Sequence, residues 1–222
     1  MESKAVKGLG NSVVEASRDL AYLLSRGYRR EPAVRFVGDR YRLDKGERLL
    51  LYRTVYDVKT GEAHRRKVVS VEAMRGKKLS IDGYNVLITV EIILMGLPVF
   101  LSDDGVVRDI SMVSRKYSFT DTTFEALNLI LSELKELKPH GVYWFLDAPI
   151  PRSGELAKVI REGLREHGLE GVAIMVKTAD KVTLLKGDVV AGSDCVVVEK
   201  AIMVVEIPRC IALKKGIVMN TP

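Results

Sequence analysis

Four short apolar runs finish the same way, each closed by one or two acids. LSI ends at Asp82, VFLS at Asp103 and Asp104, VYWFL at Asp147, and VVAGS at Asp194. Apolar runs of this length, bounded by turn residues, read as buried strands. If those strands lie parallel, their carboxyl ends share one edge of the sheet, the edge where open α/β sheets bind ligands. Acids from distant parts of the chain would then converge. Crowded carboxylates repel one another unless a cation or a shared proton compensates. Hard oxygen ligands favour Mg²⁺ or Mn²⁺. Such an ion suits phosphodiester hydrolysis, because it activates water and stabilises the leaving oxygen. Singly, each acid has an ordinary explanation as a strand terminator or helix cap. Convergence is what sets Asp82, Asp104, Asp147 and Asp194 apart.

The residues around these acids sharpen the reading. In IDGYN (81–85), Gly83 permits a tight turn, and Asn85 begins a helix that runs to Met95 and is closed by Gly96. The loop PIPRSG (149–154) joins the strand ending at Asp147 to a helix starting near Ser153. Helix N-terminal amides beside an arginine form an anion site, so Arg152 and Ser153 are candidate phosphate contacts. An ordinary proline-stiffened connection with a serine cap is the alternative. Other acids have weaker claims. Glu125 fits a capping box opened by Thr122, Asp109 has Arg108 or Arg115 as partners, and Asp180 reads equally as a loop residue or a ligand. Glu91 lies inside the apolar helix and needs a partner there. His64, His140 and His167 show no ligand or triad spacing, and neither a P-loop nor a G-x-G-x-x-G motif is present.

The elements that must position these residues alternate beyond residue 77. Strands are expected at 79–81, 97–101, 142–146, 172–176 and 188–192. Helices are expected at 85–95, 122–137 and from Ser153 on. The pattern predicts an α/β fold, a mainly parallel sheet flanked by helices. Ahead of it, 1–76 reads as a small, mostly helical domain. Its helices lie over 13–24, from Glu31-Pro32, and over 47–56, and an exposed basic turn is expected at DVKTGEAHRRKV. The boundary is placed near MRGKK (74–78), giving domains 1–76 and 77–222. Of the net charge of +6, the basic excess lies wholly in the first part: residues 1–76 hold 17 Lys and Arg against 10 Asp and Glu, and the remainder 18 against 19. Arg and Tyr interleave there, from Tyr28 to Arg53, as on a surface that pairs with phosphates and stacks on bases; Tyr rings completing a small helical core are the competing reading. With two cysteines (Cys195 and Cys210) and no run near the roughly 18 apolar residues of a membrane span, a reducing cytoplasm is the expected setting, and no membrane partner is expected.

These residues meet a family. IDGYN resembles the opening of PIN-like and NYN-type nuclease domains, where an Asp ends the first strand and an Asn follows one turn later. GSDCVVVEKA (192–201) is similar to their later Ser/Thr-x-Asp segment, and WFLDAPIPRSG (144–154) to their central strand and its acid. With its basic helical part, the whole chain resembles a group of archaeal proteins that join a domain of unknown function to a PIN-like, Rossmannoid domain. The resemblance spans roughly 77–205. It implies that Asp82, Asp147 and Asp194 bind metal and that Asn85 holds the first acid and its water; Ser193 and Lys181 join Arg152 and Ser153 as candidate substrate contacts, with Arg152 or Lys181 offsetting the developing charge. A further acid remains open among Glu91, Asp104, Asp109 and Glu125, with Asp104 the first choice. The expected activity is a Mg²⁺- or Mn²⁺-dependent nuclease directed at RNA, with a homodimer admissible. A catalytically silent RNA- or nucleotide-binding adaptor on the same scaffold is the alternative, and a small-molecule phosphatase ranks third.

Overall fold

The computed structural model describes residues 10–110 and 117–221. The chain divides into two compact units. One takes in the residues up to Arg65, Pro98–Ile110 and the chain end from Met219; the other takes in Arg66–Leu97 and the stretch to Val218. The boundary therefore falls at Arg66 rather than near 77. Pro98–Ile110, expected as part of the α/β domain, belongs instead to the N-terminal unit.

The N-terminal unit is built on α1 (Asn11–Ser25), α2 (Arg30–Arg40), α3 (Lys45–Thr54) and α4 (Val58–Arg65). Val13, Ala16 and Leu20 lie three to four residues apart on α1, so one face is apolar. That face packs with Ala33, Val34 and Val37 of α2, Leu50 and Leu51 of α3, and Phe100. Asp44 opens α3 with a reciprocal capping box, its side chain accepting from the Glu47 amide while Glu47 accepts from the Asp44 amide. The segment expected as an exposed basic turn is helix α4, with Gly61 and His64 buried. A Cβ on Gly61 would stand 3.0 Å from the Asp103 carbonyl oxygen, so glycine is what lets this helix approach the 98–110 segment. That segment is an antiparallel hairpin, β2 (Val99–Leu101) with β3 (Val107–Asp109), and not a strand of the main sheet.

The second unit holds the sheet. Its elements are α5 (Val71–Met74), β1 (Lys78–Asp82), α6 (Gly83–Leu94), α7 (Asp121–Leu137), β4 (Gly141–Asp147), α8 (Ser153–Glu166), β5 (Gly171–Val176), α9 (Ala179–Lys186), β6 (Val189–Ala191), α10 (Cys195–Lys200) and α11 (Ile207–Lys214). The strand order is β5-β4-β1-β6 and every pairing is parallel. Alternation sends Leu79, Ile81, Val142, Trp144, Leu146, Val189 and Ala191 into one core with the apolar faces of α6, α7, α8 and α11. Val190 packs on the opposite side with Val197, Ala201 and Val204. Helix α9 lies against β1 and β4. Each fully buried Leu or Ile in such a core contributes about 1.5–3 kcal/mol. Packing is also close where α6 starts. A Cβ on Gly83 would fall 2.5 Å from Trp144 Nε1, 2.6 Å from the Phe145 carbonyl oxygen and 2.6 Å from Leu146 Cδ2. Among the described residues no helix is long and apolar enough to cross a membrane.

Candidate acidic site at the sheet edge

Parallel pairing places Asp82 at the carboxyl end of β1, opposite Phe145, and Asp147 at the carboxyl end of β4, opposite Val176. Asp194 follows β6 as the N-cap of α10, and Asp180 lies in the first turn of α9, just after β5. Four strands thus deliver four acids to one edge. Asp82 is buried, and its pKa is pushed up to about 7, first by burial and then by the charges of Asp147, Asp194 and Asp180; only the nearby Asn85 amide pulls it down. Asp180, which reads equally as a loop residue or a ligand in the sequence, is therefore a member of the group. The signal for it was the missing acid after VAIMV: its strand ends not on an acid but on Val176, with Asp180 four residues later on the next helix.

The other acids are held locally. Asp147 Oδ1 accepts the Ala179 amide at 2.9 Å, tying β4 to the start of α9. Asp194 Oδ1 accepts the Val196 amide at 2.8 Å and the Val197 amide at 3.4 Å. In each, one carboxylate oxygen is engaged and the second has no protein partner among the described residues. Asn85 is fixed firmly: its Oδ1 accepts both the Ser193 amide at 2.7 Å and the Ser193 hydroxyl at 2.8 Å. The carboxamide oxygen is thereby spent on the β6–α10 turn, and the Nδ2 donors are left for a ligand. The Asn85 backbone amide is hydrogen-bonded to Asp82, so this residue touches both the first acid and the β6–α10 turn.

The loop contacts depart further from expectation. Arg152 adopts a left-handed conformation (φ 62°), donates through Nη2 to Glu155 Oε2 at 2.7 Å, and stands 4.8 Å from the centre of the Phe119 ring. A guanidinium already paired with a carboxylate is a poor phosphate clamp. Ser153 is buried, its hydroxyl 3.4 Å from the Ala148 carbonyl oxygen that accepts from it. Lys181 is exposed in the first turn of α9, one residue past Asp180.

Asp104 does not join the edge. It belongs to the N-terminal unit, fully buried, where Arg108 grips both its oxygens at 2.7 and 2.8 Å and the Ser102 hydroxyl and Val106 amide donate to Oδ1. His64 Nδ1 stands 3.4 Å from its Oδ2, and the His64 ring meets Tyr56 edge-on. The Arg108 and Ser102 hydrogen bonds outweigh burial and lower the pKa of Asp104. The remaining candidates are also committed. Asp109 pairs with Arg53 at 3.7 Å, in the same unit. Glu91 of α6 accepts from the Tyr117 hydroxyl at 2.8 Å and from the Thr123 hydroxyl at 2.5 Å, its pKa raised by burial. Glu125 is exposed on α7, and the capping box there is formed by Thr120 and Thr123 rather than by Thr122 and Glu125.

A ready-made cage of three His, Cys, Asp or Glu ligands is absent among the described residues. Mg²⁺ does not require one, since it is held by one or two carboxylates and keeps waters and substrate phosphates as its other ligands. The all-oxygen donor set, with spare carboxylate oxygens and uncompensated negative charge, fits an ion of that kind.

The Arg–Tyr interleaving of the N-terminal unit divides into two groups. Arg48 pairs with Asp39, Arg40 with Asp19, and the Tyr41 hydroxyl donates to Asp19. Arg30 donates to the Tyr52 and Val55 carbonyls and lies over the Tyr56 ring at 4.3 Å. These residues hold the helices together. Arg26, Arg29, Arg35 and Arg42 are exposed without an ion pair among the described residues, and Tyr22, Tyr28 and Phe36 are more than 60% exposed.

Comparison with known proteins also places a boundary just after residue 67, although the second match takes in Pro98–Ile110. A family described as Protein of unknown function (DUF434) matches residues 12–67, and one described as Domain of unknown function (DUF5616) matches residues 71–210. The chain is 37% identical over 188 residues to "Uncharacterized protein MJ0935" of Methanocaldococcus jannaschii, an alignment covering 85% of this chain and 89% of that protein. No solved structure matches significantly.

Proposed function

We propose that this chain, which belongs to the family described as Domain of unknown function (DUF5616), is a Mg²⁺- or Mn²⁺-dependent nuclease acting on RNA. The observation that carries the reading is Asp82: a buried carboxylate at the carboxyl end of a parallel strand, its pKa raised by burial and by the like charges of Asp147, Asp194 and Asp180. Buried charges without compensation are costly, and strongly perturbed carboxylates in such places mark functional sites. A divalent cation is the partner that relieves the strain.

Asp82, Asp147 and Asp194 would hold the ion, with Asp180 adding charge from the start of α9. An ion held there supplies a Lewis acid for phosphoryl oxygens and lowers the pKa of its water. Ser193 turns the Asn85 carboxamide so that its amine donates to a phosphate oxygen. Lys181 offsets charge developing on the leaving side. The role first assigned to Arg152 passes to these two, since Arg152 is paired with Glu155. The exposed Arg26, Arg29, Arg35 and Arg42 with Tyr22, Tyr28 and Phe36 suit the gripping of a single strand by phosphate pairing and base stacking.

One observation favours a second reading, a catalytically silent RNA-binding adaptor: among the described residues no three ligands stand together as a preformed cage. Incubating the full chain with labelled single- and double-stranded RNA and DNA, with Mn²⁺ or EDTA and alongside Asp82→Asn, separates the two. Nuclease action gives Mn²⁺-dependent RNA cleavage that the substitution abolishes. RNA retention without cleavage by either protein selects the adaptor.

A further inference from the structure

The main sheet has two edges, and the fold closes only one of them. At the β6 edge, the Val190 amide donates to the Met203 carbonyl at 3.0 Å and its carbonyl accepts from the Val205 amide at 2.9 Å, so residues 203–205 cover that side. At the opposite edge, β5 pairs with β4 alone among the described residues. The carbonyls of Glu170 and Val176 accept from the Val142 and Ala148 amides. By alternation, the amides and carbonyls of Gly171, Ala173 and Met175 point away from the sheet. Arg161 of α8 donates to the Ala173 carbonyl at 2.8 Å, which leaves that oxygen a second lone pair.

The strand itself, GVAIMV, carries neither a charge nor a proline. Val172, Ile174 and Met175 are 39%, 44% and 49% exposed. An apolar edge of this kind is a template for a further strand, and proteins that keep one unpaired blunt it with charges, proline or bulges. Along this stretch charges stand only at the two flanks. Glu170 precedes the strand and Lys177 follows it, both exposed and without an ion pair among the described residues.

We propose that β5 is the interface with a second copy of this chain, the two strands pairing antiparallel about a twofold axis at Ile174 to make one continuous sheet. That register sets Ile174 against its own copy and Val172 against Val176 of the partner subunit as close, non-hydrogen-bonded pairs. Facing β-branched residues stabilise such pairs. Ala173 then exchanges hydrogen bonds with Met175 of the partner subunit. The axis also inverts the strand, so each Glu170 falls within one residue of Lys177 of the partner subunit and opposite charges meet at both ends. This complementarity of the strand with itself is what selects a second copy as the occupant. Helix α8, which packs on β5, is brought beside its own copy. The carboxyl ends of the joined strands point in opposite directions, so the two acidic edges stand apart. The inference holds whether or not those edges bind metal.

Sedimentation velocity of the full chain in EDTA, over a series of concentrations, tests this with Ile174→Lys, Glu170→Lys, and Glu170→Lys combined with Lys177→Glu. Circular dichroism checks that each variant is folded. Wild type should sediment as a dimer. In Ile174→Lys the dissociation constant should rise at least about tenfold, because two ammonium groups are set face to face. Glu170→Lys should weaken the dimer about fivefold, and the exchange of both charges should restore it. A wild type that stays monomeric at every concentration overturns the proposal. A dimer that a folded Ile174→Lys leaves intact also overturns it, since the interface then lies elsewhere. Should Ile174→Lys misfold, failure of the charge exchange to restore the dimer is the overturning result.

Discussion

Asp104 and Asp82 are both buried carboxylates, and the chain treats them in opposite ways. Asp104 receives a bidentate arginine, a serine hydroxyl, a backbone amide and a nearby histidine, and its pKa falls. Asp82 receives like charges from three sides, and its pKa rises to about 7. In the N-terminal unit a buried charge is fully paired and serves architecture. In the C-terminal unit it is left in debt, as sites are that complete themselves with a ligand. Burial alone would have ranked the two residues together. What separates them is whether the protein supplies the counter-charge.

The contrast can be broken most forcefully at its satisfied end. Arg108→Ala leaves Asp104 buried and unpaired, and urea unfolding should show a loss of about 3–5 kcal/mol; a loss below about 1 kcal/mol would deny that this pair organises its unit. Asp82→Asn should move stability the other way. The Asp82 carboxyl titrates near 3.8 when unfolded and about 7 when folded, so its contribution is full below pH 3.8 and is lost as pH rises through 7. Metal-free melting of Asp82→Asn at pH 8 should therefore show a gain on the order of 4 kcal/mol over wild type, dwindling toward pH 4. Asp104 has the opposite window. Its contribution is present above the unfolded value of 3.8 and disappears as pH falls through its lower folded value.

Smaller effects sharpen the comparison. Mg²⁺ at a hundred times its dissociation constant should stabilise the wild type by about 2.7 kcal/mol. It should do much less for Asp82→Asn, as followed by melting temperature against Mg²⁺ concentration; equal shifts in both would place the ion elsewhere. Asp194→Ala removes the cap of α10 at a cost of about 1 kcal/mol while relieving Asp82 of one neighbour. Its net change in melting temperature should accordingly be the least of the set, and its pH dependence flatter than that of the wild type.

The parallel sheet and the edge position of Asp82, Asp147 and Asp194 were legible because apolar runs ending in an acid carry both the strand and its direction of use. VFLSDD has the same local pattern, and there the reading failed. A three-residue strand can be completed by any partner, and Phe100 finds its core among the helices of the N-terminal unit, with Leu101 paired to Val107 in a hairpin. Nothing local in the sequence encodes that choice. Helix α4 was missed because Val58, Thr60, Gly61 and His64 of VKTGEAHR have weak helical propensity; burial of Gly61 and His64 compensates for it. Asp180 stayed undecided between loop residue and ligand because it sits in the first turn of α9 rather than at a strand end. The spending of Arg152 on Glu155 was likewise hidden, since an i,i+3 pair forms only once the helix start has been fixed.

The hairpin that supplies Arg108 also dictates how the protein can be made. The family boundary between residues 67 and 71 looks like a place to cut, yet Phe100, Asp104 and Arg108 are emitted by the ribosome only after β1 and α6. The helices of the N-terminal unit emerge first and must wait, with Val37 and Leu51 short of a neighbour from their core, until residue 110 has followed. A gene fragment ending at residue 70 encodes only part of the N-terminal unit. The two units are separate in packing but inseparable as pieces of DNA, and inheritance of one without the other would require a rearranged gene rather than a shortened one.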